Sequence, residues 1–295
     1  MTGRRTKTVV AAMVLTAAIA EGAAAQAPPP TLGGGRLPTA ASPRTYVPTV
    51  NLSLQPRGAR IAMLFDSTVL CGRDVLDVSG SGDVPFDGTS FTIRGASAQR
   101  LASGRLAVEW TVNGRLSGGS ATGTLQVVGA RRRSGRTRKC ARKPSRPFEV
   151  RSAGPPAGGP AQAVPRGFYA GTSSYEIFDR MQAPVILRAS RNGRKIAAQW
   201  TIGGKCGRGP REHFRNFTPA MRVRPDGTFS RKERFSVRYS DVLVRYRPSF
   251  AGRLASDGAS GTLRLRTRVY NRRGTKLLTR CDSGTRTWNA APPPA

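Results

Sequence analysis

The chain has 295 residues, of which 49 are Lys or Arg and only 16 are Asp or Glu, so its formal net charge is +33 at pH 7. A surface this basic attracts polyanions. The single histidine excludes more than one imidazole-based catalytic site.

Residues 1–25 predict a signal peptide. A basic start precedes a short apolar run at residues 8–20, and residues 23–25 supply the small side chains of a cleavage site. The run is shorter than the roughly 20 residues of a transmembrane helix. We therefore expect an exported protein, extracellular or in the cell wall, with no transmembrane helix.

Two stretches rich in Pro, Gly and Ala, residues 26–49 and 153–166, predict linkers, because such compositions bury too little apolar surface to fold alone. A Pro-rich tail follows at residues 291–295. The predicted domains are therefore residues 50–152 and 167–290, each of ordinary size for one hydrophobic core.

The two predicted domains are copies of one another. Residues 114–125 and 252–263 both begin with Gly-Arg-Leu and end with Gly-Thr-Leu, at an offset of 252 − 114 = 138. Solenoid repeats are much shorter than this. The period therefore predicts a tandem of two similar domains.

Alternating apolar and polar residues predict strands with one buried face, as in residues 106–112 and 263–269. Gly, Asn and Asp separate such runs, and no long helical stripe occurs. We predict an all-β tandem repeat of two β-sandwich or small β-barrel domains. The second copy begins with a predicted strand at residues 167–172, for which we expect no counterpart in the first copy.

Four cysteines, two in each copy, predict disulfides in an exported chain. Zinc sites typically use close Cys pairs, which are missing from the sequence. Matching positions in the repeat favour the pairs Cys71–Cys140 and Cys206–Cys281, one within each domain. We expect these bridges to be structural, and we expect neither a metal nor a cofactor.

Basic residues are concentrated in two places. Residues 131–143 contain no acid, and the repeat predicts a hairpin there with a loop at residues 131–136. In the second copy, arginines alternate with core residues, and we expect Tyr239 and Tyr246 to lie among them. Arginine rows suit phosphate, sulfate or carboxylate polymers, although an ordinary solvated basic face is the alternative. The predicted polyanion-binding residues are Arg131, Arg132, Arg133, Arg136, Arg138, Lys139, Arg264, Arg266 and Arg268.

No catalytic motif is visible, and the one histidine, His213, falls in a predicted loop. We therefore expect a non-catalytic binding protein and predict no catalytic residue. Its predicted partner is an anionic polymer or surface, such as a cell-wall polymer, lipid headgroups or extracellular DNA. The alternatives are a protein-binding module (an inhibitor or adhesin) that acts through loops, and a hydrolase with a site near His213.

Overall fold

The computed structural model describes residues 31–36, 50–71, 74–101, 104–133, 136–140, 145–159, 167–177, 181–190, 192–207, 211–238 and 241–292. The predicted signal peptide, most of the first predicted linker, residues 160–166 and residues 293–295 lie outside these ranges. All regular elements within them are β-strands, which confirms the all-β prediction. Among these residues, no helix could cross a membrane.

The first barrel is a nearly closed sheet of nine strands. They are β1 (Leu32–Arg36), β2 (Val50–Arg57), β3 (Arg60–Cys71), β4 (Asp74–Pro85), β5 (Ser90–Leu101), β6 (Gly104–Ser117), β7 (Ser120–Arg133), β8 (Arg136–Lys139) and β9 (Arg146–Arg151). The strand order is β4-β3-β2-β1-β9-β7-β6-β5, and β8 pairs with β7. The edge strands β4 and β5 approach each other, which nearly closes the sheet.

The second barrel repeats this plan with ten strands. They are β10 (Gly167–Glu176), β11 (Gln182–Ala189), β12 (Lys195–Cys206), β13 (Arg211–Arg222), β14 (Thr228–Lys232), β15 (Phe235–Arg238), β16 (Val242–Ala255), β17 (Gly258–Asn271), β18 (Leu277–Asp282) and β19 (Arg286–Ala291). The order is β13-β12-β11-β10-β19-β17-β16-β14, with β15 on β16 and β18 on both β12 and β17. The tandem repeat is thus confirmed. Of the two predicted architectures, sandwich and small barrel, the structure has barrel-like sheets.

One expectation about the first copy is wrong. Strand β1 lies within the predicted linker and holds the place in the first sheet that β10 holds in the second. Its Gly-rich sequence does not resemble a strand, but glycine is needed because the two barrels meet here. A Cβ atom on Gly33 would lie 2.1 Å from the carbonyl oxygen of Gly171.

Buried polar contacts continue this interface between the barrels. The Asn51 side-chain amide donates to the Thr201 hydroxyl at 3.1 Å, and the Ser53 hydroxyl donates to the Gln182 carbonyl oxygen at 2.8 Å. Paired polar groups of this kind satisfy hydrogen-bonding needs that burial would otherwise leave unmet. The two barrels therefore pack directly on one another.

Each barrel has its own aromatic core. In the first, Trp110 packs edge-on against Phe65 with ring centroids 5.2 Å apart. In the second, Phe250 stacks on Trp288 at 5.0 Å and on Trp200 at 5.9 Å. Because side chains alternate along a strand, the residues between these core positions point outward.

Both predicted disulfides are present and are confirmed, Cys71–Cys140 and Cys206–Cys281. Cys206 and Cys281 lie directly opposite each other on β12 and β18. Strand β18 pairs with β17 along its other edge. The second bridge therefore fixes β18 between two strands of the barrel wall.

Candidate anion-binding face

The alternation predicted for β17 is present in the structure. Leu263 and Leu265 point into the core with relative exposures of 1% and 2%. Arg264, Arg266 and Arg268 therefore lie on the outer face of the same strand.

The neighbouring strands extend this row into a two-dimensional array. Arg268 lies between Arg245 of β16 and Arg280 of β18, and the next row places Arg266 between Arg247 and Asp282. We call the outward-pointing residues of these strands the arginine face: Arg245, Arg247, Arg264, Arg266, Arg268 and Arg280. Only Arg264, Arg266 and Arg268 are among the binding residues predicted from the sequence. The other three are not, because the period-two pattern does not reveal which strands are adjacent.

The arginine face carries a cost in stability. Side chains directly opposite on antiparallel strands have Cβ atoms about 4.5–5.5 Å apart, and like charges there destabilise the sheet. The row Arg245–Arg268–Arg280 contains three such side chains and no acid. An anion placed over the row would offset the repulsion.

Asp282 orders the adjoining part of the face. Its carboxylate accepts hydrogen bonds from Arg264 Nε at 3.0 Å and Nη2 at 2.6 Å, and Arg266 Nε lies 3.3 Å away. The hydrogen bonds from Arg264 lower the pKa of Asp282 despite its partial burial. Asp282 is therefore ionised at neutral pH and holds two guanidinium groups in place.

The aromatic partners of the arginines differ from those expected. Tyr246 is 8% exposed and stacks on Phe235 at 4.9 Å on the inner side of β16, so the expectation that it lies among the arginines is wrong. Tyr239 lies outside the described residues. Instead, the Arg245 guanidinium lies 4.6 Å from the centroid of the Tyr270 ring, a cation–π contact that sequence analysis missed.

A cleft of about 530 Å³, which we call the basic cleft, opens at the Arg264 end of the face. The cleft lies beside β16, which pairs with two successive strands. Strand β14 pairs with residues 249–253 of β16 and β15 pairs with residues 243–246, and residues 233–234 connect β14 to β15. Its charged lining residues are Lys232, Glu233, Arg234, Arg247, Arg264 and Arg266.

The other predicted basic segment forms a hairpin of β7 and β8, which we call the basic hairpin (residues 131–139). Strand β7 extends to Arg133 and β8 begins at Arg136, so the predicted six-residue loop is wrong and only residues 134–135 connect the strands. Arg131 lies opposite Arg138. The side chains of Arg132, Arg136, Arg138 and Lys139 are exposed, Arg131 is half-buried, and the Arg133 side chain lies outside the described part.

The first barrel has no arginine at the corresponding positions, although Arg105 and Arg132 lie opposite each other farther along the same outer face. Subtracting the repeat offset of 138 from the positions on β16 and β17 gives uncharged or acidic residues. The counterparts of Arg245, Arg247, Arg264, Arg266 and Arg268 are Ala107, Glu109, Gln126, Val128 and Ala130. The fold therefore does not require arginine at these five positions.

His213 lies in strand β13 opposite Gly203, so the loop predicted for it is wrong. Its side chain is outside the described part of the structure, and a hydrolase site there stays a prediction. Within the described ranges, no group of three or more His, Cys, Asp or Glu residues could hold a metal ion.

Comparison of the chain with models of protein families, with curated proteins and with solved structures found no match. The fold defines a protein of two disulfide-bridged, barrel-like β-domains.

Proposed function

We propose that the protein is a non-catalytic binding protein for an anionic extracellular polymer, with the arginine face as its main contact surface. The observation that carries the proposal is the difference between the copies: five arginines on β16 and β17 replace uncharged or acidic residues at the same positions of the first barrel. The basic hairpin is a second, smaller contact surface. The two disulfides favour an oxidising, extracellular location.

The geometry of the sheet suits a linear polyanion. Outward side chains recur every second residue, or about 6.8 Å along a strand, and neighbouring strands repeat them at about 5 Å. Each guanidinium can form two parallel hydrogen bonds with a phosphate or carboxylate group. A chain lying across the face would therefore contact several arginines at once and release counterions.

The test is a salt titration of binding to labelled DNA, heparin and teichoic acid. The variant carries Arg245→Ala, Arg266→Val and Arg268→Ala, which introduce the residues of the first barrel, and Arg247→Gln, in which Gln is the uncharged analogue of Glu109. Charge-assisted hydrogen bonds contribute about 1 kcal/mol or more each, so binding should weaken at least about 100-fold. On duplex DNA the slope of log K against log salt should become shallower by about 0.9 for each phosphate that the variant no longer neutralises.

A matched control removes the same charge elsewhere, with Arg94→Ala, Arg115→Ala, Arg194→Ala and Arg224→Ala, all at exposed positions. We expect this variant to keep most of the affinity. Equal weakening of both variants would mean that diffuse charge, and not the arginine face, binds the polymer. Salt-insensitive binding to a protein, with no polyanion bound, would favour the protein-binding module instead.

A further inference from the structure

The basic cleft differs from the rest of the arginine face because it has walls. Arg247, Ser249, Arg264 and Arg266 lie on the outer surface of β16 and β17 and form its base. The segment that joins β14 to β15 borders one side, and Thr285, between β18 and β19, borders the other. A small ligand can therefore be contacted from several sides in the cleft, whereas a ligand on the rest of the arginine face is contacted from one side only.

Positive charge in the cleft greatly exceeds negative charge. The side chains of Lys232, Arg234 and Arg247 make no hydrogen bond or ion pair with the described residues. Glu233 of the lining is already bound to Arg231 at 2.6 Å, and Asp282 is shared by Arg264 and Arg266. With Arg231 included, six cations and two carboxylates leave an excess of 6 − 2 = 4 positive charges. A ligand that carries more than one negative charge matches this excess best.

Hydroxyl groups lie in the same cleft. Ser249, Thr262 and Thr285 all line it, and each hydroxyl can donate one hydrogen bond and accept others. Groups of this kind recognise the hydroxyls of a sugar or polyol. The cleft thus combines a concentrated anion site with neutral polar groups.

We infer that the basic cleft binds a phosphomonoester on a sugar or polyol, such as the phosphorylated end of a polymer chain. A phosphomonoester carries a charge of about −1.5 to −2 at pH 7 and three acceptor oxygens, whereas a phosphodiester carries a single negative charge. Lys232, Arg234 and Arg247 supply donors to those oxygens. This inference rests on the proposed function and assigns two parts of the polymer to two surfaces. The arginine face binds the interior of the polymer, and the basic cleft binds its end.

Isothermal titration calorimetry of the full chain provides the test, with glycerol 3-phosphate, its methyl diester and inorganic sulfate as probes. We expect the monoester to bind at least tenfold more tightly than the diester. Because the second pKa of a phosphomonoester is about 6, its affinity should fall several-fold between pH 7.5 and pH 5.0. Equal affinity for the monoester and the diester would overturn the inference.

Sulfate controls for titration of the protein, because it stays a dianion over this pH range. The charged groups that face the ligand site are Lys232, Glu233, Arg234, Arg247, Arg264, Arg266 and, beside the last two, Asp282. We expect sulfate affinity to change little with pH. A parallel fall in sulfate and phosphate affinity would assign the pH effect to the protein and overturn the dianion argument.

Variants of the cleft locate the site. Arg234→Ala with Arg247→Ala should abolish measurable binding of glycerol 3-phosphate, whereas the exposed control pair Arg94→Ala with Arg115→Ala should leave it unchanged. Unfolding midpoints of both variants check that the fold is intact. If the wild-type chain binds the labelled polymers but not glycerol 3-phosphate, the cleft inference fails and the proposed function stands. If it binds glycerol 3-phosphate alone, the polymer proposal fails.

Discussion

The outer faces of the two barrels share one geometry and differ in chemistry. Ala107 lies opposite Ala130 on β6 and β7, just as Arg245 lies opposite Arg268 on β16 and β17. Most inward residues of both strand pairs are apolar and buried. The inner residues therefore maintain the fold, while the outer residues can change without altering the strand register. Arginine at five positions that hold none in the first barrel is therefore a property of the second barrel and not of the fold.

The strand next to each face adds a second difference. Strand β8 pairs only with β7 among the described strands, whereas β18 pairs with both β12 and β17. Strand β18 brings Arg280 and Asp282 beside the arginines of β17. The residue after the second cysteine of the first copy is Ala141, so the carboxylate that orders the arginines has no counterpart there.

The largest expected effect comes from the disulfides. Cys206→Ser with Cys281→Ser, or Cys71→Ser with Cys140→Ser, should each lower the free energy of unfolding by about 4 kcal/mol, since the bridges close loops of similar length. Loss of the second bridge should weaken polymer binding more than loss of the first, because the second bridge fixes β18 beside the arginine face, which is the main contact surface. Denaturant unfolding and binding under folding conditions measure the two effects. Equal loss of binding in both variants would remove the functional distinction between the barrels.

A transplant of the arginine face tests the comparison by gain of function. Ala107→Arg, Glu109→Arg, Val128→Arg and Ala130→Arg should create two opposed arginine pairs on β6 and β7. Stability should fall by roughly 1 kcal/mol, since each like-charge pair costs about 0.2–1 kcal/mol. Polymer affinity should rise about tenfold if the new face binds independently.

The matched control for the transplant adds the same charge, +5, at exposed positions of the first barrel that do not lie opposite one another or opposite an arginine: Ala59→Arg, Ser81→Arg, Thr92→Arg, Ser117→Arg and Ser145→Arg. An equal gain in affinity would show that net charge, and not the arrangement of arginines, determines binding. The affinities of the two variants for labelled heparin give the comparison directly.

The smallest effect is expected for Asp282→Asn. The Arg264–Asp282 pair is partly exposed, so its loss should destabilise the barrel only slightly. Releasing two arginines should raise polymer affinity a few-fold, which a salt titration would detect. A decrease in affinity would mean that ordering of the arginines by Asp282 matters more than the charge that it neutralises.

The pH dependence of this pair has a definite sign. Hydrogen bonds from Arg264 lower the pKa of Asp282, so its stabilising contribution is complete above the ordinary aspartate value of 3.8 and is lost as the pH falls through the lower folded-state pKa. The difference in stability between wild type and Asp282→Asn should therefore be constant near neutral pH and vanish in strong acid. Urea unfolding at a series of pH values measures it.

The sequence by itself determined the repeat, the strand class and both disulfide pairs. Matching cysteines at matching positions identified Cys71–Cys140 and Cys206–Cys281, and the period of two placed Arg264, Arg266 and Arg268 opposite the core. These features are local or follow from comparing the copies. They could therefore be predicted without knowing which strands are neighbours.

The tertiary structure alone decided the rest. Strand β1 could not be recognised, because its glycines are required by the approach of the second barrel and not by the strand itself. The array of Arg245, Arg268 and Arg280 depends on the register of three strands. A shift of one residue would turn every side chain to the other face. Register is set by packing of the buried faces and by the turns, so the charge pattern of the outer face emerges only when the barrel is assembled.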